Sequence, residues 1–517
     1  MALERARSGG GAGQAVPGHH PAGSLDPLTA GGRLAARSRA DPVAAAIAAV
    51  VFVCYTVISV FRYLRRDPTS WDLGIFTEYV KQYAHLRAPI VDIRGAGVNL
   101  LGDHFHPIVA LIAPFFAIFP SAATLLVAQA LLAAVSVLPV YRAGADLLGV
   151  GAGRAIAAAY GFSWGLQQLV NYDFHEIAFA VPLLAFALSA LIRGRYRAAV
   201  AWAAPMVFVK EDQGFTLVAI GLILAFGYRR RGLGLALAGW GLLGSLLAIF
   251  VIIPHFNAAH VYAYWSQAGP VDLAAGHFSV GGLWHQFSAG LSVKLPTLAM
   301  IGLPTAFIAV RSPIALAAVP ALALRFVDSM PAYWGTAWHY NATVMPIVFL
   351  AAIDAMARIR ARRAVAGSNA GGRSPGRIGF AMEHYGAAAM LAICAALAFQ
   401  FPLSGLWTPA TYHLGRVVSA ENAAMAVVPA GATVATDLEL LAPLAARTDT
   451  FWLGNYGTNP LTRYIVFDSH STDFQPPPRN PLGFIRQLEH GAPYRQIFAR
   501  DGVYVFELTG RAGARAG

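Results

Sequence analysis

Charge is what this chain has least of. Of its 517 residues only 12% are Asp, Glu, Lys or Arg, against about 25% in a soluble domain. Hydrophobic residues make up 57%, and mean hydropathy is +0.53. That balance excludes an ordinary soluble enzyme and predicts a polytopic membrane protein. Lysine is scarcest of the cations, with only Lys81, Lys210 and Lys294, so the net charge of +12 is carried by arginine. The arginines sit in short loops between apolar runs. They form no basic stripe interleaved with aromatics, which argues against a nucleic-acid partner and for orientation in a bilayer. Cysteine is nearly absent. Cys54 and Cys394 both lie in apolar runs, so neither a disulfide framework nor a cysteine-ligated metal is expected. No P-loop, dinucleotide fingerprint or nucleophile elbow occurs.

Residues 1–42 lack an apolar run, are rich in Gly, Ala, Arg and Pro, and read as a disordered cytoplasmic tail. The first apolar stretch begins only after Pro42 and is long enough to span, so it does not read as a cleaved signal peptide. Runs long enough to cross, given that a spanning helix needs roughly 17–25 residues, or nearly so, are 43–64, 121–141, 152–170, 176–193, 196–210, 212–228, 232–253, 293–310, 313–327, 341–358 and 384–403. The run 107–119, bounded by Pro107 and Pro120, reads as a half-inserted helix. With the N-terminus inside, Arg142, Arg154, Arg193, Arg229–Arg231 and Arg358–Arg363 fall on the inner side, while 254–292 and 328–340 contain no Lys or Arg. About eleven spans in 43–403 then place the C-terminus outside. Within that domain, 65–105 is the first outer loop and 359–382 a cytoplasmic linker. Composition changes after 403, and 404–517 reads as a small soluble, extracytoplasmic α/β domain. Strands are expected at 427–436 and 464–468, with a hairpin turning at Asp501-Gly502.

The few ionisable residues of the apolar region gather at the ends of runs that this threading puts on one face. Such groups at membrane depth are rarely without a role. Asp72, opening a helically patterned stretch with Phe76, Tyr79 and Tyr83, is either a helix cap or a general base facing a chamber. His104 and His106 alternate in an extended segment and so point the same way. With Asp173, His175 and Glu176 on a tight turn, they are candidates to hold a divalent cation, the only cofactor the sequence suggests, or are polar residues of a solvated turn. Lys210, Glu211 and Asp212 interrupt an apolar run, either as an interfacial loop or with Lys210 as a point charge for a phosphate. Arg325, His339 and Tyr340 are further candidates for a phosphate or diphosphate, although an arginine at a helix end also snorkels. Aromatics crowd the same side, including Trp71, Tyr172, Tyr262, Tyr264, Tyr333 and Trp338. They fit an interfacial belt and also a saccharide-stacking surface.

In their order, Trp71-Asp72-Leu73-Gly74-Ile75-Phe76, Asn99 to Pro107, Asp173-Phe174-His175-Glu176 and Lys210-Glu211-Asp212-Gln213-Gly214 resemble a family of bacterial polytopic membrane proteins known by a domain-of-unknown-function label (DUF2079-like). The resemblance spans roughly residues 45–510. That family is similar in plan to the GT-C glycosyltransferases, which take a sugar from a polyprenyl-phosphate donor on the outer face and carry an acidic residue in the first outer loop. The resemblance implies that Asp72 is the catalytic acid-base residue, with Glu78 a looser match to a second carboxylate. It implies a GT-C-like enzyme of the bacterial plasma membrane whose partners are the bilayer, a polyprenyl-phosphate-linked sugar and a cell-envelope glycan or protein acceptor. The competing class is a non-enzymatic lipid or solute transporter or flippase. That class needs polar groups at the bilayer midplane, where these runs are almost uncharged.

Overall fold

The first helix, α1 (Pro42–Leu64), starts where its sequence says it should. Asp41 caps it through a 2.9 Å bond from Val43 N, and Pro42 occupies the first turn, where a missing N–H does no harm. Asp41 also pairs with Arg154 at 3.0 Å, tying the helix start to the helix at 150–161. In this computed structural model residues 41–68, 70–264, 271–272, 277–368, 377–455, 459–474 and 476–510 are described. Residues 1–40 of the tail expected at 1–42, and the middle of the 359–382 linker, lie outside them.

Among the described residues five helices are long and apolar enough to cross a membrane: Pro42–Leu64, Ala122–Leu148, Arg231–Phe256, His339–Val365 and Arg377–Ala398. A sixth crossing results if Val280–Ser288 and Leu291–Thr305, bent by 68°, are counted as one. The expectation of about eleven spans is thus supported only in its coarser form, a mostly helical multi-pass protein. Several of the remaining expected segments are shorter apolar helices, Pro107–Ile118, Glu176–Ile192, Gln213–Gly227 and Pro313–Val327. Buried polar side chains stitch them together. Tyr55 donates to Gly161 O at 2.6 Å and Ser59 to Val170 O at 2.6 Å. Gln129, fully buried, donates to Leu169 O and Asp173 O and accepts from His175 N. In a site without water, such backbone groups must find partners within the protein.

The C-terminal region forms a five-stranded sheet of β1 (Thr433–Thr436), β2 (Asp449–Trp452), β3 (Tyr464–Asp468), β4 (Tyr494–Arg500) and β5 (Val503–Leu508), in the order β2-β1-β3-β5-β4. β1 runs parallel to both β2 and β3, and β5 is antiparallel to β3 and β4. The expected hairpin is present, with Asp501 and Gly502 both at positive φ (47° and 82°), the conformation a two-residue hairpin turn requires. The expected strand at 427–436 is shorter. Helix Arg416–Val427 takes its start, and Pro429 to Ala432 form the turn into β1. One sheet face packs Val434, Val466 and Val505 against Ala420, Ala424, Leu440 and Leu444. The other packs Ile465, Phe467 and Phe506 against Ile485.

This domain sits against α2 (Asp72–Ala84), the amphipathic helix after α1. The contact at Gly74 is so close that an added Cβ would stand 3.0 Å from Leu441 Cβ. Trp71 meets Trp452 edge to face at 4.6 Å, Lys81 Nζ donates to Thr448 O at 2.5 Å, and Arg66 donates to Asn422 at 2.7 Å.

Candidate functional site

A cavity of about 660 Å³ opens at the end of the bundle where α2, the turn at 172–176, the segment 210–213 and the loop 328–341 meet. That is within the range of small-molecule sites. Asp72, His104, His106, His175, Glu176, Lys210, Glu211, Asp212, Arg325, His339 and Tyr340 all line it.

Asp72 is the first residue of α2, and its side chain does not close the helix end. Trp71 holds the cap position, and no side-chain cap bond is made there. Instead Tyr172 Oη donates to Asp72 Oδ2 at 2.5 Å. Among the described residues no hydrogen bond engages Oδ1, and Asp72 lines the cavity.

The cavity wall is built from ion pairs. Lys210 Nζ lies 3.3 Å from Glu176 Oε1, and His175 Nδ1 lies 2.9 Å from Glu176 Oε2. Glu211 accepts from Phe105 N at 3.0 Å and Tyr262 Oη at 3.1 Å, and lies 2.6 Å from His104 Nδ1. Burial opposes its ionisation, but His104 and Lys210 outweigh burial and bring the carboxyl down to about 2. Burial likewise opposes a charge on His104. Lys210 adds to that, yet Glu211 and Asp103 prevail and its pKa ends above the ordinary value. The neighbouring His106 has no such partner. Burial pushes it down to about 4, so it is a neutral ring beside Tyr79 Oη at 3.2 Å. Two histidines two positions apart are therefore shifted in opposite directions.

A family model described as "Predicted membrane protein (DUF2079)" matches residues 67–479. The chain belongs to the DUF2079 family. No curated protein matches it. Among solved structures, ArnT from Cupriavidus metallidurans bound to undecaprenyl phosphate is similar at 15% identity and a TM-score of 0.48. The apo state of the same protein gives 13% and 0.49. Each comparison covers 89% of this chain and 97% of the other.

Two of the expected site residues of this DUF2079 chain do not line the cavity. Glu78 is not brought to the cavity. It is fully buried on the other side of α2, where Oε2 accepts from Ile93 N at 3.2 Å and Oε1 has no hydrogen-bond partner among the described residues. Burial pushes its carboxyl up to about 8. Asp173 is likewise outside the cavity. It accepts from Ser70 N at 3.0 Å and faces a crevice of about 30 Å³ shared with Arg62 and Glu439. Among the described residues no group of three His, Cys, Asp or Glu is arranged to hold a metal ion. His104 is engaged with Glu211, His106 with Tyr79, and His175 with Glu176 and the stacked His339 ring at 3.6 Å.

Arg325 lines the cavity, but its donors are spent. Nε donates to Tyr333 O at 2.9 Å, Nη2 to Tyr333 O and Gly335 O, and Nη1 to Tyr340 O and Asn341 Oδ1. Those bonds use all five N–H groups of a guanidinium, and every acceptor is neutral. Arg325 therefore presents a positive charge to the cavity without a free donor. It organises the loop that carries Trp338, a non-glycine residue at φ 66°. Trp338 in turn packs edge to face on Tyr172 at 5.3 Å.

Several lining residues escaped the sequence reading. Arg94 stacks on Trp71 at 4.9 Å and pairs with Asp103 at 3.1 Å, yet sits in a loop of mixed charge that singles out none of its members. Tyr172, Tyr262, Tyr264 and Trp338 fit an aromatic belt and a saccharide-stacking surface equally well from sequence. Nothing in composition separates a belt aromatic from a lining one.

Proposed function

We propose that this protein is a GT-C-like glycosyltransferase. It moves a sugar from a polyprenyl-phosphate donor to a cell-envelope acceptor on the outer face of the plasma membrane, with its N-terminus cytoplasmic and its C-terminal domain outside. The observation that carries this reading is Asp72, a carboxylate with one oxygen held by Tyr172 and the other open, in the same cavity as Lys210. The acceptor hydroxyl attacks the anomeric carbon and gives its proton to Asp72 Oδ1. The bond from that carbon to the donor phosphate breaks with inversion, and the phosphate leaves as the lipid phosphate. Lys210 and the unneutralised charge of Arg325 stabilise the oxygen that departs, as fixed charges do where negative charge develops. Ile177, Phe215, Ile249 and Leu324 give the cavity an apolar wall toward the helices, where a polyprenyl chain can lie.

The test is transfer by the purified full chain in nanodiscs, assayed against a panel of radiolabelled polyprenyl-phosphate sugars. Asp72→Asn keeps size and most hydrogen bonding but removes the base. It should lower turnover by about 10²–10⁴-fold while donor binding is retained. An Asp72→Asn protein that turns over at the wild-type rate removes Asp72 from the mechanism.

A further inference from the structure

We infer that Tyr172 is the positioning residue of Asp72: its hydroxyl binds one carboxylate oxygen and so fixes the direction in which the other is presented. The inference rests on the proposed role of Asp72 as base, but its geometry stands without that role.

The Tyr172 hydroxyl lies 2.5 Å from Asp72 Oδ2 and 3.1 Å from Ser70 Oγ. It has one proton, and the shorter contact to a charged oxygen takes it, because hydrogen bonds to ionised acceptors are the stronger ones. Burial, then the adjacent Asp72 carboxylate, push the phenol's pKa up, so the hydroxyl stays protonated and is the donor at any working pH. The ring cannot swing away. Trp338 closes one side edge to face at 5.3 Å, and His339 lies at 4.6 Å.

The backbone beneath it is equally held. Gln129 binds Leu169 O, Asp173 O and His175 N, so the whole turn is pinned to the helix at 122–148. From that turn Asp173 Oδ2 accepts from Ser70 N at 3.0 Å, and Ser70 Oγ accepts from Asp72 N at 3.0 Å. The carboxylate, its own backbone and the residue two before it are therefore all fixed from one neighbouring turn. This gives Asp173, which does not reach the cavity, a part in placing the residue that does.

Removing the hydroxyl frees the carboxylate to rotate without removing it, so the loss should fall on turnover and not on donor binding. The experiment measures kcat and the donor KM of the full chain in nanodiscs for wild type, Tyr172→Phe, Asp72→Asn and the double variant. Tyr172→Phe should lower kcat by up to about 10²-fold at an unchanged KM. It should cost nothing further in Asp72→Asn, where no carboxylate remains to be positioned. An unchanged kcat in Tyr172→Phe, or the same fractional loss in both backgrounds, overturns the inference. Wild-type turnover by Asp72→Asn sinks the glycosyltransferase role of Asp72 instead.

Discussion

Replacing Arg325 with lysine keeps the charge beside the cavity and removes the fork. The guanidinium reaches two ends of one loop at once, Tyr333 and Gly335 on one side and Tyr340 and Asn341 on the other. An ammonium has three donors on one nitrogen and cannot span both. Gly335 O keeps a second partner in Asn341 Nδ2 at 3.2 Å, so the acceptors at risk are Tyr333 O, Tyr340 O and Asn341 Oδ1. Leaving two of them unsatisfied costs about 2–6 kcal/mol at roughly 1–3 kcal/mol each. That is a large share of the roughly 5–15 kcal/mol that holds a typical domain folded. The loop, not the bundle, should yield, because its contacts converge on this one side chain. Hydrogen exchange read by mass spectrometry on the full chain in nanodiscs should show peptides covering 331–341 exchanging at least tenfold faster in Arg325→Lys. Peptides from the helix at 344–365 should be unchanged. Transfer should fall with the loss of the Trp338 wall although the charge remains. Wild-type protection at 333–341 in the variant would mean that the five bonds do not hold the loop, and the account of Trp338 would fall with them.

The His104–Glu211 pair should be pH-sensitive in a defined direction. The pKa of His104 is raised above 6.5, so its contribution is complete below that value and is lost as pH climbs through the higher folded value. Glu211 is lowered from 4.5 to about 2, so its contribution is present above 4.5 and is lost only as pH falls toward 2. The melting-temperature difference between wild type and His104→Gln should therefore shrink from pH 6 to pH 9, and a difference constant over that range refutes the pairing. Glu78, raised to about 8 by burial, weakens the folded state progressively as pH rises from 4.5 to 8. Glu78→Gln should match wild type at pH 5 and melt higher at pH 9, with no gain at pH 9 counting against a buried neutral acid. The arginine asymmetry of the loops predicts that an impermeant maleimide added outside cells labels a cysteine placed at Ser469 and not one at Ser368. The reverse pattern overturns the orientation.

Hydrophobic runs and prolines made the helices legible, and the Asp501-Gly502 pair made the last hairpin legible, because these signals are local. The count of crossings was less accessible, since an apolar run of 12–17 residues has the same composition whether it crosses, bends back or packs inside. The site was legible as a set of rare polar residues, and most of them do share one cavity. Which way each side chain points was not. Glu78 follows Asp72 by six residues on one helix, which turns it about 120° away from Asp72. The fate of Arg325 depended on carbonyl groups, which have no sequence signal. Tyr172 carries the closest contact to Asp72, yet it reads as one interfacial aromatic among many.

The packing of the C-terminal domain against the back of α2 has a practical consequence. At Gly74 the helix and the domain meet almost backbone to backbone, and the same helix begins with Asp72. A version cut after the last membrane helix would leave Gly74, Lys81 and the buried Glu78 facing water. It would also free the one element that carries the open carboxylate. The domain is therefore one half of the scaffold for Asp72. Chimeras that exchange it between relatives should succeed only when α2 and the helix at 438–445 are exchanged together.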